Sequence, residues 1–202
     1  MNPLPMEAAP ALGARRRAVA EVASGRVLDL GGWGDHLTAY RLGDAVESVT
    51  MLDRIGDIRA GSGQRDPKGV TRLDAGPESL VDMGLGPFDT IVSLIRTPLV
   101  ADFERFLQTI DDLLAEDGRL HLVEPVRRDG RLGRLLAATG VVGRAVGGLH
   151  LDRDLPAEIR KHGLTVTDIT RFEVPSLSAP MRPFIQAEVR RSASSPGSSP
   201  SE

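Results

Sequence analysis

The chain has 202 residues, a formal net charge of −3 and no cysteine. This excludes disulfides, thiolate nucleophiles and cysteine metal sites, and it argues against a broadly basic nucleic-acid surface. No apolar run reaches the length of a membrane span, so none is expected, and cytoplasm is the default compartment.

Aromatic residues make up only 3% of the chain, so a core must be built from Leu, Val, Ile and Ala. The length suits one domain that buries a real core without staples. Residues 1–25 read as a helical lead-in, 26–191 as one domain, and 192–202 as a Ser/Pro/Gly-rich disordered tail. Short basic spots at 15–17, 127–134 and 190–191 read as solvated helix faces or strand ends.

Residues 11–24 predict a helix, with Leu12, Val19 and Val22 at near-helical spacing and Gly25 as its stop. An apolar run, Val27 to Leu30, predicts a strand buried on both faces. It meets an abrupt cluster, Gly31–Gly32–Trp33–Gly34, where the backbone can turn sharply and approach a ligand. A helix over 35–42 is expected next, giving the strand–glycine turn–helix opening of a nucleotide-type α/β fold.

A second strand is expected over 48–52, ending at Asp53. Glycines and Pro67 break the segment 54–69, which should hold no more than one turn near 55–60. A third strand is expected over 70–73, a helical turn over 77–83 and a fourth strand over 88–94. Residues 102–114 form a strongly amphipathic pattern, with Phe103, Phe106, Leu107, Ile110, Leu113 and Leu114 on one helical face. Glu116–Asp117–Gly118 reads as a turn and 119–124 as a fifth strand.

Residues 130–146 predict a helix, and Asp154 caps another that runs to His162. Strands over 164–172 and 184–191 close the chain. About ten residues with no helix join them, too few for a parallel crossover, so this pair is expected to be antiparallel. The fold class is therefore α/β: a doubly wound, seven-stranded, mostly parallel sheet with an antiparallel last strand.

Asp29, Asp53 and Asp74 mark successive strand ends. Ligands of open α/β sheets bind across the carboxyl ends of the strands, so the three acids would line one crevice. An acid after strand two suits ribose hydroxyls, and one after strand three suits the exocyclic amine of a purine. His36 and His150 are candidates to touch a ligand, His121 reads as structural, and no spacing suggests a metal site. Trp33 and Tyr40 either wall the crevice or pack the first helix.

Val27–Leu28–Asp29–Leu30–Gly31 resembles the first motif of class I S-adenosylmethionine-dependent methyltransferases. Asp53 matches their acidic ribose position, and Leu73–Asp74–Ala75 resembles the adenine-side motif. Residues 88–94 resemble their fourth strand, and 113–120 their leucine-x-proline-gly-gly turn, with Glu116–Asp117–Gly118 in its place. Residues 120–125 and 148–154 are similar to the small thiol- and quinone-type methyltransferases.

The resemblance implies S-adenosylmethionine as cofactor and a small-molecule methyl acceptor. It implies cofactor contacts at Asp29, Gly31, Gly32, Trp33, Gly34, Asp53, Arg54, Asp74, Ala75 and Leu94. The family pattern, Gly-x-Gly-x-Gly, would start at Gly31, but the chain has Gly31, Trp33 and Asp35 in that frame. Either Gly32 and Gly34 take over in a reshaped turn, or cofactor binding is reduced or lost. That keeps two further readings open. One is an inactive binding or partner protein of the same fold. The other is an NAD-dependent oxidoreductase, from Gly32-x-Gly34 with Asp53. The sequence indicates neither the acceptor, a catalytic base nor the oligomeric state.

Overall fold

The computed structural model describes residues 10–31, 36–55, 58–59, 67–127, 130, 149–151 and 153–192, with side chains except at 54, 55, 58, 59 and 180. Of the helix expected over 130–146 only Gly130 is described, and Gly32 to Asp35 and the tail beyond Ser192 lie outside the described residues.

A seven-stranded sheet organises the chain. Its strands are β1 (Gly25–Asp29), β2 (Val46–Leu52), β5 (Val70–Leu73), β6 (Phe88–Leu94), β7 (Leu114–Pro125), β8 (Leu164–Glu173) and β9 (Pro183–Arg191). They lie in the order β5-β2-β1-β6-β7-β9-β8. The first five are mutually parallel, whereas β9 runs antiparallel to both β7 and β8. The antiparallel closing pair expected from the short linker is therefore present, and the last strand inserts between two earlier ones.

Helices cover both faces. On one side lie α2 (Pro77–Asp82), α3 (Phe103–Leu113) and α4 (Leu155–Lys161). Leu80, Phe106, Ile110 and Ile159 from this layer pack with Leu28, Ile91 and Leu120 of the sheet. On the other side, α1 (Pro10–Val22) places Leu12, Val19 and Ala20 against Val27, Val92 and Val123. Neighbouring strand residues such as Ile91 and Val92 enter opposite cores, as period-two alternation requires. Arg15 secures α1 further by stacking on Phe172, 3.7 Å from the ring centre, and bonding Gln186 at 2.9 Å.

The helix α3 follows its sequence pattern closely. Asp102 caps it, accepting from the Arg105 amide at 3.0 Å, and all six predicted apolar residues are buried.

Three expectations need correction. The helix expected over 35–42 is a single 3-10 turn, Leu37–Ala39. Tyr40 is already extended, with ψ 128°, because its hydroxyl and the His36 ring both reach back to Asp29. Near 55–60, where no more than one turn was expected, β3 (Arg54–Ile55) and β4 (Ile58–Arg59) pair antiparallel.

The turn at Glu116–Asp117–Gly118 is a bulge within the longer strand β7. Phe88 pairs with Leu114 but Thr90 with Arg119, so β7 has extra residues there. A Cβ at Gly118 would meet the Ala115 carbonyl oxygen at 2.9 Å, so the bulge needs glycine.

Ile110 is fully buried at the centre of α3, whereas Gln108 is exposed. Ile110→Ala should cost about 3 kcal/mol in urea unfolding with the slope unchanged. Gln108→Ala should stay within about 0.5 kcal/mol.

Candidate functional site

The chain leaves β1 towards β2 on one side, and β6 arrives on its other side. The strand order therefore reverses between β1 and β6, the place where an open α/β sheet forms its crevice. The carboxyl ends of β5, β2, β1, β6 and β7 stand in a row along it.

Asp29 ends β1 and is fully buried. Its Oδ1 accepts from the Gly31 amide at 2.9 Å. Its Oδ2 lies 2.6 Å from His36 Nε2 and accepts from the Tyr40 hydroxyl at 2.9 Å. The two rings meet edge to face, with centres 5.9 Å apart. Gly31 has φ 89°, a turn that a side chain would strain.

Burial by itself raises the Asp29 carboxyl, but the charge of the His36 ring and the hydrogen bonds from His36, Tyr40 and the Gly31 amide bring it below the ordinary aspartate value. Burial and the adjacent carboxylate push the Tyr40 hydroxyl well up. Asp29 thus holds the turn after β1 from beneath, with its carboxylate facing the protein interior.

Asp53 follows β2 and is half-buried. Its amide bonds the Leu73 carbonyl at 2.9 Å, and its Oδ1 accepts from Arg72 Nη1 at 2.9 Å. This pairing fixes the acid across two strands. Asp74, just after β5, is exposed, and Ala75 beside it is half-buried. Leu94 ends β6 in the core. The backbone of Arg54 lies in β3, while Gly32, Trp33 and Gly34 are outside the described residues. The structure therefore gathers Asp29, Gly31, Asp53, Asp74, Ala75 and Leu94 at one end of the sheet.

Sequence reasoning assigned no role to Glu124 at the end of β7. It is fully buried and accepts four hydrogen bonds, from Ser93 Oγ, the Arg96 and Thr97 amides and Thr97 Oγ1. Burial pushes this carboxyl up, and the donors oppose that shift. Arg96 is buried too, and burial lowers its guanidinium to about 10. The signal in the sequence was an acid closing an apolar strand. Nothing in local spacing linked it to residues some thirty positions earlier.

His36 touches Asp29 rather than open space. His121 is buried in β7, where burial lowers its ring. The His150 amide bonds the Pro98 carbonyl at 2.9 Å, placing this residue beside the loop after β6. Among the described residues no cluster of His, Asp or Glu could hold a metal ion.

No protein-family model and no curated protein sequence matches the chain. Solved structures do. The Burkholderia thailandensis 1,6-didemethyltoxoflavin-N1-methyltransferase, solved with 1,6-didemethyltoxoflavin and S-adenosylhomocysteine, is 19% identical. Its TM-score is 0.60, over 90% of this chain and 79% of that one. The protein bound to the Trm112 methyltransferase activator in a Haloferax volcanii complex is 14% identical. It matches at a TM-score of 0.63 over 94% of this chain and 93% of its own.

This is the class I S-adenosylmethionine-dependent methyltransferase fold. The [4+2]-cyclase SpnF shares it, at 15% identity and a TM-score of 0.61 over 90% of this chain and 80% of that one. The methyltransferase fold therefore fixes the sheet order and the crevice, and chemistry has to be argued from the residues that line it.

Asp29→Asn tests the buried hub. It removes a carboxylate that three donors face and should cost about 3 kcal/mol in denaturant unfolding. The lowered Asp29 carboxyl contributes stability that is in place above the unfolded value near 3.8 and is lost as pH falls below it. The acid limb of stability against pH should therefore flatten in Asp29→Asn.

Proposed function

We propose that the chain binds S-adenosylmethionine at the carboxyl ends of β1, β2 and β5 and transfers its methyl to a small-molecule acceptor. Asp53 is the observation that carries this reading. It stands one strand from the switch point, half-buried, with one carboxylate oxygen engaged by Arg72. A ribose needs an acid fixed in this manner, whose second oxygen can take its hydroxyls. Asp74 and Ala75 lie one strand further out, where an adenine would reach them. The neighbour solved with S-adenosylhomocysteine supports the choice of cofactor.

The bound cofactor supplies an electrophilic methyl on a sulfonium. The chain binds the adenosine, aligns the methyl with the acceptor and excludes water. Asp53 would hold the ribose and Asp74 the adenine, so that an acceptor oxygen, sulfur, nitrogen or carbon would meet the methyl in line. Holding the partners in line supplies much of the rate, so such a site requires no catalytic side chain.

Trp33 favours a second reading. It occupies the frame of the second family glycine, where bulk opposes the approach of a cofactor. In that reading the fold serves as a binding or partner protein without transfer.

Calorimetric titration with S-adenosylmethionine and S-adenosylhomocysteine separates the readings, with Trp33 fluorescence as a second signal. The first reading expects saturable binding of both, and silence at millimolar ligand overturns it. Asp53→Ala should weaken binding by about tenfold, the loss of hydrogen bonds to a charged group. Binding of NADH instead would move the chain to the oxidoreductases.

A further inference from the structure

The loop after β6 is built unlike an ordinary connection. Leu94 pairs with Val123, and the Ile95 amide extends the ladder to the Val123 carbonyl at 2.9 Å. Ile95 then turns with φ 59° although it is β-branched and fully buried. Among the described residues it alone, apart from glycines, has a positive φ. Such a conformation persists only where its surroundings over-determine it, and it is a pointer to function.

Glu124 supplies that restraint. Its Oε1 accepts from Ser93 Oγ at 2.7 Å and the Arg96 amide at 2.9 Å. Its Oε2 accepts from the Thr97 amide at 3.1 Å and Thr97 Oγ1 at 2.8 Å. The carboxylate thus grips the chain on both sides of Ile95. Arg96 closes the loop from within, donating from Nε to the Leu94 carbonyl at 2.9 Å. Arg153 braces it from outside, donating to the carbonyls of Thr97 and Val100.

The location gives this device a purpose. In the proposed binding mode, adenine lies by β5 and ribose by β2. The strand order then directs the methyl-bearing end past β1 towards β6, where this loop begins. We propose that Glu124 is a positioning residue, locking the loop of residues 94–97 into its strained form as a preset wall beside the reacting end of the cofactor. This rests on the function proposed above. An acid at this strand end invites assignment as a general base. Full burial and four donors on its two oxygens argue for the positioning role instead.

Glu124→Gln keeps the size but turns an amide NH₂ towards a backbone N–H. Two measurements on the full chain test the lock. Hydrogen exchange at the Arg96 and Thr97 amides should accelerate, with α3 still protected. Affinity for S-adenosylhomocysteine by calorimetry should fall by about tenfold.

Ile110→Ala, comparably destabilised but distant in the helical layer, should bind as the wild type does. A merely structural Glu124 would behave like Ile110, and binding within twofold of wild type in Glu124→Gln overturns the positioning role. Unchanged exchange at Arg96 and Thr97 overturns the lock. If Glu124→Gln does not fold, Thr97→Ala removes one donor of the four. It should weaken binding by about threefold, and unchanged binding overturns the proposal. Failure of the wild type to bind S-adenosylhomocysteine would defeat the proposed function instead, and exchange in Glu124→Gln would still decide whether the lock exists.

Discussion

A carboxylate taken out of water must be met by donors, and the crevice end of this sheet is built around two such groups. Asp29 closes β1 and Glu124 closes β7, both fully buried. Each is satisfied by backbone amides and side chains of a loop that must turn just beyond a strand. Desolvation makes leaving either acid unpaired very unfavourable, so each loop has few alternatives to the conformation that supplies its donors. Rigidity at the strand ends is thus a consequence of burying charge there, and the crevice depends on it.

Much of the architecture was legible in the sequence because it rests on local patterns. The strand Phe88–Leu94 and the helix around Ile110 are written in continuous periodicity, and Asp154 announces the cap of α4 three residues before Ala157. The antiparallel closing pair followed from linker length alone. The first crossover helix failed because tertiary bonds overrode propensity: His36 and Tyr40 are spent on Asp29, and Tyr40 is pulled out of helical geometry. The β7 bulge was half legible, since Gly118 marked a bend but not the extra pairing before it.

The site divides along the same line. The placement of Asp53 and Asp74 at strand ends was readable because such acids recur at the spacing of one strand–helix unit. The grip of Glu124 on Ser93, Arg96 and Thr97 was not, because it joins two strands that are neighbours only after folding. Sequence identity of 14–19% to proteins of the same fold tells the same story. Sheet order survives wide divergence because it needs only apolar alternation and short connections. The groups that define chemistry are few and specific, and they carry little weight in such a comparison.

The insertion of β9 between β7 and β8 shapes how the sheet can be completed. Among the described residues β8 pairs in the sheet with β9 alone, so it joins this arrangement only after the chain beyond it has been made. During synthesis, which proceeds from the N-terminus, the β5-to-β7 portion can assemble first while β8 waits unpaired. One strand then zips two edges together in a single late step. A stop codon within the last strand would therefore remove two strands from the sheet, and the side of β7 that β9 covers would be left as a bare edge open to other chains.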